Sequence, residues 1–250
     1  MRVDTMRCWA SSPTTEPTPS SCTKAVCGYS RAPSMPGWPW FVHLSASTRY
    51  AADPTFKYQV AEVEDCLRRG ADAVSVHVNI GSLTEDRQLR DMAGVADACD
   101  RFGLPLLAML YPRGPGIKDH PQLETLLHAA ALAVDLGADI VKLPLQGPVA
   151  AMKRVVDSCP IPILAAGGAQ VSDHQFGAFV ADAMASGARG LAAGRNIFMA
   201  ADPGAKVREV RRLLSAAVAF NRADTPPLAD AAGDRMAFPT NGGAATQEHV

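Results

Sequence analysis

A lysine set inside an apolar run is the feature of this chain that most needs a chemical explanation. Lys142 stands between Val141 and Leu143 in ADIVKL, residues 138–143. In a strand, alternation puts Val141 and Leu143 on one face and Ile140 and Lys142 on the other. An ammonium does not settle in an apolar layer, so the amine has to face a cavity or a barrel mouth. Desolvation there disfavours the charged form and lowers the amine pKa, which is what a lysine needs to attack a carbonyl and form a Schiff base. A lysine whose head snorkels to the rim, or pairs with a carboxylate, satisfies the same pattern.

Two further groups could share a site with it. Tyr111 closes the apolar run PLLAMLY and is followed by Pro112-Arg113-Gly114, a turn that fixes where the phenol and the guanidinium project. A phenol at a strand end can move a proton if its hydroxyl reaches the reacting atoms. It can equally pack its ring and bond a backbone carbonyl. Gly167-Gly168 and Gly194-Arg195 each follow an apolar run. Paired glycine turns can hold a phosphate on backbone N–H groups, and Arg195 would add charge-assisted bonds. Tight turns also use glycine freely.

Other residue types point to less. His43 and His77 lie in strand-like runs and could line a mouth, although a hydrogen-bonded core histidine is the commoner explanation. Asp53, Asp119 and Asp202 read as turn or helix-start residues. Cys22 and Cys27 have no further ligands at zinc spacing, so no metal is expected; Cys66, Cys99 and Cys159 read as reduced core thiols. No nucleophile elbow or Ser-His-Asp order is present.

The elements that must position these groups follow from composition and periodicity. The chain has 250 residues, 48% of them hydrophobic, and a formal net charge of -1. That supports a sizeable core and removes the basic footprint of a general nucleic-acid binder. No run approaches the roughly 20 apolar residues of a membrane span, and no secretory leader follows Met1, so the expected compartment is the cytoplasm. Residues 1–38 are rich in Pro, Ser and Thr and are expected to be irregular. Residues 223–250 read as a flexible tail. Between them, residues 39–222 alternate strand-like runs (40–45, 72–78, 105–111, 138–143, 161–166, 189–194) with helix-like ones (58–69, 83–102, 122–136, 149–157, 173–185, 205–221). Gly70, Gly103, Gly137 and Gly187 stand where helix C-terminal caps belong. Repeated βα units with doubly buried strands imply a parallel sheet, either open or closed. Ser45, Ser47, Asn79, Tyr111, Arg113, Lys142, Gly167, Gly168, Gly194 and Arg195 fall at or just beyond strand C-terminal ends. That placement, with no G-x-G-x-x-G after the first strand, favours a (β/α)8 TIM barrel.

Taken together, GADAVSVHVNIGS (70–82), GLPLLAMLYPRG (103–114), LGADIVKL (136–143), ILAAGGA (163–169) and GLAAGRNIF (190–198) resemble the archaeal-type class I fructose-bisphosphate aldolases and the related aminodeoxy-heptulosonate synthases. The resemblance spans roughly 41–200. It implies a (β/α)8 barrel, a Schiff-base lysine at Lys142, an acid/base tyrosine at Tyr111, and a substrate phosphate near Gly167, Gly168, Gly194, Arg195 and Arg113. It further implies a metal-independent reaction on a phosphorylated keto-sugar such as dihydroxyacetone phosphate and an oligomer of identical subunits. In the biosynthetic branch, which supplies aromatic precursors, aspartate semialdehyde would be the acceptor.

Three departures stand against that pattern. Residues 1–38 carry none of the Asp-His-Gly motif that ends the first of two earlier βα units, so the barrel is expected to lack or to have replaced those units. The abrupt compositional break there points to a frameshift or a misassigned start. LPLQG (143–147) replaces a more polar stretch, and Ala131 stands where an arginine is usual. Two other functions remain open at this stage: a truncated, non-catalytic homologue that binds a sugar phosphate, and a phosphate-binding barrel isomerase in which Lys142 acts only electrostatically.

Overall fold

Backbone pairing, rather than side-chain periodicity, sets the first element. The computed structural model describes residues 20–23, 39–48, 50–117 and 122–223. Strand β1 (Ser20–Thr23) runs parallel to β2 (Trp40–His43), Ser20 opposite Trp40. The segment 1–38 therefore contains a strand that its composition did not predict, because an edge strand can be held by its backbone ladder alone. The rest of 1–38, Asp119 and the tail 224–250 fall outside the described residues.

A small hairpin follows, also unforeseen. β3 (Ser45–Ala46) pairs antiparallel with β4 (Tyr58–Gln59), and the Val60 N–H donates to Leu44 O at 2.8 Å. Those bonds commit residues 58–60 to extended backbone, so helix α1 starts at Val63 (Val63–Arg68) and not at Tyr58.

From there strand and helix alternate as expected. β5 (Ala73–Ile80), β6 (Leu106–Pro112), β7 (Ile140–Leu143), β8 (Ile163–Ala166) and β9 (Gly190–Ala192) are separated by α2 (Glu85–Phe102), α3 (Leu123–Asp135), α4 (Val149–Asp157) and α5 (Asp173–Ala185). α6 (Arg195–Phe198) and α7 (Pro203–Ala223) close the described chain. The sheet order is β1-β2-β5-β6-β7-β8-β9, every pairing parallel. β1 and β9 are its two edges, so among the described residues the sheet curls as a TIM-barrel wall that does not close.

Glycine caps set the αβ turns. Gly103 (φ 63°) and Gly137 (φ 80°) take the left-handed conformation that lets the chain reverse out of α2 and α3. The next residues then return to the helix ends, Leu104 N–H to Cys99 O at 3.0 Å and Ala138 N–H to Ala133 O at 2.9 Å.

The two sheet faces have different jobs. Val42, Val74, Val76, Val78, Leu106, Ala108, Leu110, Val141, Leu143, Ile163 and Ala165 face the helices. They form the main core with Val63, Met92, Val95, Leu126, Ala129, Met152 and Val155. Cys66 and Cys99 lie in this core as free thiols, and Cys159 is only half-buried at its margin.

Leu143 is 0% exposed and belongs to that face, whereas Leu83 is 78% exposed. Leu143→Ala is expected to lower unfolding free energy by about 2–5 kcal/mol through lost burial and a residual cavity. Leu83→Ala is expected to change it by less than about 0.5 kcal/mol. Urea midpoints of the two variants check the contrast.

Candidate active site

The core claims one face of the sheet and leaves the other for polar groups. In-register pairing carries this inner face across the wall: His43 is opposite Ser75, His77 is opposite Met109, and Met109 is opposite Lys142. Lys142 is in turn opposite Leu164, and Asn79 is opposite Tyr111. Because neighbouring strands are about 4.8 Å apart, His77 on β5 and Lys142 on β7 face the same space from roughly 10 Å apart.

Lys142 is only 6% exposed. Among the described residues no carboxylate pairs with it. Burial alone pulls its amine from 10.5 down to about 8. Tyr111 lies one layer nearer the C-terminal rim. Burial pushes its phenol up to about 12, against the opposing pull of Arg113 and Arg195. The Arg113 guanidinium sits 6.0 Å from the Tyr111 ring centre. The fold thus brings Tyr111, Arg113 and Arg195 within one electrostatic neighbourhood.

Both histidines line this face and are also hydrogen-bonded, so the two sequence readings are not exclusive. His43 Nδ1 lies 3.0 Å from Ser75 Oγ, and burial, then Lys142 and Lys57, lower its pKa to about 4. His77 is held to about 3 by burial first, then by Lys57 and His43. Its ring lies 4.9 Å from that of Tyr111, tilted by 35°.

The glycine turns divide their work differently from the sequence expectation. The Gly167 N–H donates to Ala192 O at 3.1 Å, so it is not free for a phosphate. Its lack of a side chain has a packing cause: a Cβ there would lie 2.5 Å from Ala193 Cβ and 2.8 Å from Ala193 Cα. Gly168 has φ 67°, and its carbonyl accepts from Arg195 Nη2 at 3.0 Å. The N–H groups of Gly168 and Gly194 have no protein acceptor among the described residues. Gly168, Gly194 and Arg195 are therefore brought together at the ends of β8 and β9, with Gly167 packed against Ala193 behind them.

Sequence reasoning missed the residues that brace the site. Asn196, 6% exposed, donates to Gly167 O at 2.7 Å and Ala169 O at 2.8 Å, and accepts from Val171 N–H at 2.9 Å. It locks the loop that follows β8. Gln88, 2% exposed, accepts from the Asn79 N–H at 2.9 Å and donates to Thr84 Oγ1 at 3.1 Å. Its signal was legible: Gln88 occupies the same helical stripe as Met92, Val95 and Cys99, where an apolar residue belongs. Asp53 and Asp202 are turn and helix-start residues, bonding Thr55 N–H at 2.8 Å and Ala205 N–H at 2.9 Å. Among the described residues no cluster of His, Cys, Asp and Glu could hold a metal ion, and no helix is long and apolar enough to cross a membrane.

Known proteins share this fold. A family model described as DeoC/LacD family aldolase matches residues 24–200, beginning inside the segment 1–38 that composition set apart. A 2-amino-4,5-dihydroxy-6-oxo-7-(phosphonooxy)heptanoate synthase from Streptomyces griseus is 53% identical over 174 residues, 69% of this chain and 64% of that one. A 2-amino-3,7-dideoxy-D-threo-hept-6-ulosonate synthase from Archaeoglobus fulgidus is 48% identical over 162 residues, 65% of this chain and 60% of that one. The chain thus spans less than two thirds of the length of these relatives. Among solved structures, an archaeal fructose 1,6-bisphosphate aldolase superposes with a TM-score of 0.72 at 25% identity, covering 78% of this chain and 77% of that one. An archaeal fructose-1,6-bisphosphate aldolase with its catalytic lysine covalently bound to the carbinolamine intermediate of the substrate gives a TM-score of 0.71 at 25% identity, with the same coverage.

Burial of the Lys142 amine makes stability depend on pH with a definite sign. The unfolded lysine titrates near 10.5 and the folded one near 8, so between these values the unfolded chain binds more protons and stability rises with pH. The cost is fully present below about pH 8 and amounts to about 3 kcal/mol. Lys142→Met is expected to be the more stable protein at pH 7 by roughly 1–3 kcal/mol, the advantage shrinking by pH 10.5. Urea unfolding at pH 7, 9 and 10.5 measures it. A wild type more stable than the variant at pH 7 contradicts the assignment.

Proposed function

The chain belongs to the DeoC/LacD aldolase family, and from that premise we propose that it forms or cleaves a carbon–carbon bond of a phosphorylated keto-sugar through a Schiff base on Lys142. The observation that carries this reading is a buried lysine on the polar face of the sheet, 6% exposed and without a carboxylate partner among the described residues. With a pKa near 8 a substantial share of the amine is neutral at physiological pH and can act as a nucleophile.

The steps follow from the groups in place. The neutral Lys142 amine adds to the substrate ketone to give a carbinolamine, and loss of water leaves an iminium. The iminium draws the electron pair released when the neighbouring carbon–carbon bond breaks, while the hydroxyl proton on the departing carbon passes to water and an aldehyde leaves; the enamine that remains takes a proton from water at carbon, and addition of water to the resulting iminium frees the ketone and the Lys142 amine. The reverse sequence joins the two pieces. Tyr111, kept protonated by burial, supplies and recovers the proton needed for dehydration and hydrolysis. Gly168, Gly194 and Arg195, with Arg113 at the adjacent rim, hold the phosphate away from the reacting carbons. Gly167 supports that loop with its N–H already given to Ala192 O. The archaeal aldolase with a carbinolamine on its lysine supports the lysine's part in this scheme.

The relatives carry the finer reading. Both relatives are named as synthases of seven-carbon amino keto acids, the first carrying a phosphonooxy group. That favours a biosynthetic aldol or transaldol reaction, with dihydroxyacetone phosphate or a related donor and aspartate semialdehyde as acceptor; we assign this reaction to the cytoplasm and to an oligomer of identical subunits.

Borohydride reduction of the full chain with dihydroxyacetone phosphate tests the reading. The expected result is a stable adduct whose mass maps to Lys142, absent from Lys142→Met. Tyr111→Phe is expected to lower turnover by about 10²–10⁴-fold, the usual reach of a positioned acid or base. An adduct on another lysine, or none in the wild type, contradicts the proposal.

A further inference from the structure

The hydrogen bonds around Asn79 determine where the proton of His77 sits. Asn79 is 0% exposed, and its Nδ2 donates to Thr55 O at 2.6 Å. A carbonyl only accepts, so the amide cannot be turned over, and Oδ1 is the atom facing His77 Nε2 at 3.0 Å. Oδ1 also only accepts, so Nε2 carries the hydrogen. Burial, then the charge of Lys57, keep the ring neutral, with a pKa near 3. A neutral imidazole has one N–H, so Nδ1 is a bare acceptor. It has no partner among the described residues.

The location of that lone pair is as informative as its existence. The phosphate residues Gly168, Gly194 and Arg195 lie at the ends of β8 and β9, and Lys142 lies on β7. His77 lies on β5, on the opposite side of Lys142 and in the same register row through Met109. A sugar held by its phosphate at one end and by the Schiff base in its middle extends the rest of its carbons toward β5. Those carbons leave as the aldehyde on cleavage, or arrive as the aldehyde on condensation.

We propose that His77 forms the acceptor-aldehyde end of the site, its Nδ1 taking a hydrogen bond from a hydroxyl or amino group carried by that aldehyde. This rests on the Schiff-base reading of the same site. It makes His77 a specificity-determining residue: a polar aldehyde satisfies the buried acceptor, and an apolar one of equal carbon count leaves it unpaired. The contact between the His77 and Tyr111 rings holds the imidazole beside the proton-transferring phenol.

The test uses the full chain, dihydroxyacetone phosphate as donor, and glyceraldehyde or propionaldehyde as acceptor. The wild type is expected to favour glyceraldehyde in kcat/KM by roughly tenfold more than His77→Phe does, the worth of one neutral hydrogen bond. His77→Phe keeps an aromatic ring against Tyr111 and should still form the borohydride-reducible adduct on Lys142. His77→Gln, which restores an acceptor, should recover part of the preference. A wild type that forms the adduct yet adds both aldehydes at equal rates, zero included, overturns the proposal, whatever the variants do. So does a His77→Phe variant that keeps the full preference. Absence of the adduct from the wild type overturns the Schiff-base reading and this one with it.

Discussion

An ammonium cannot share a face with the apolar contacts that hold this wall together, and the rest of the architecture accommodates that constraint. Val141 and Leu143, both 0% exposed, fasten β7 to the helices, which leaves Lys142 between them no direction except inward. The same parity, carried by register, sends His43, Ser75, His77, Asn79, Met109 and Tyr111 to the same side. A chemically useful face is thus a consequence of building a core on the other one.

Burial then sets the protonation states. It lowers the lysine, lowers both histidines and raises the tyrosine, so the groups meet a substrate as a part-neutral amine, neutral imidazoles and a protonated phenol. Lys142, Tyr111 and His77 are each in the form their proposed roles require. Arg113 and Arg195 place positive charge near Tyr111, and Arg195 is held by its bond to Gly168 O at 3.0 Å.

Much of this was legible because it depends on local alternation. The six runs expected to be strands all pair in one parallel sheet, and the inward direction of Lys142 follows from two flanking apolar residues. Gly103 and Gly137 announced the αβ turns because a left-handed cap has few other solutions. What escaped depends on partners distant in sequence. β1 exists through its pairing with β2, and the β3–β4 hairpin takes residues 58–60 from an apparent helix by bonding them to residues 44–46. Gly167 resembles a phosphate ligand until Ala192 and Ala193 are seen beside it. Asn196 is an ordinary polar residue until burial shows how many backbone groups it satisfies.

The ionisation of one amine concentrates the account. Titrating Lys142 in the full chain by side-chain NMR, with Lys142→Met to assign its signal, reads that property without any substrate. The account predicts a midpoint near pH 8, well below that of an ordinary lysine. A midpoint at 10 or above would mean a solvated or acid-paired ammonium, and would contradict it.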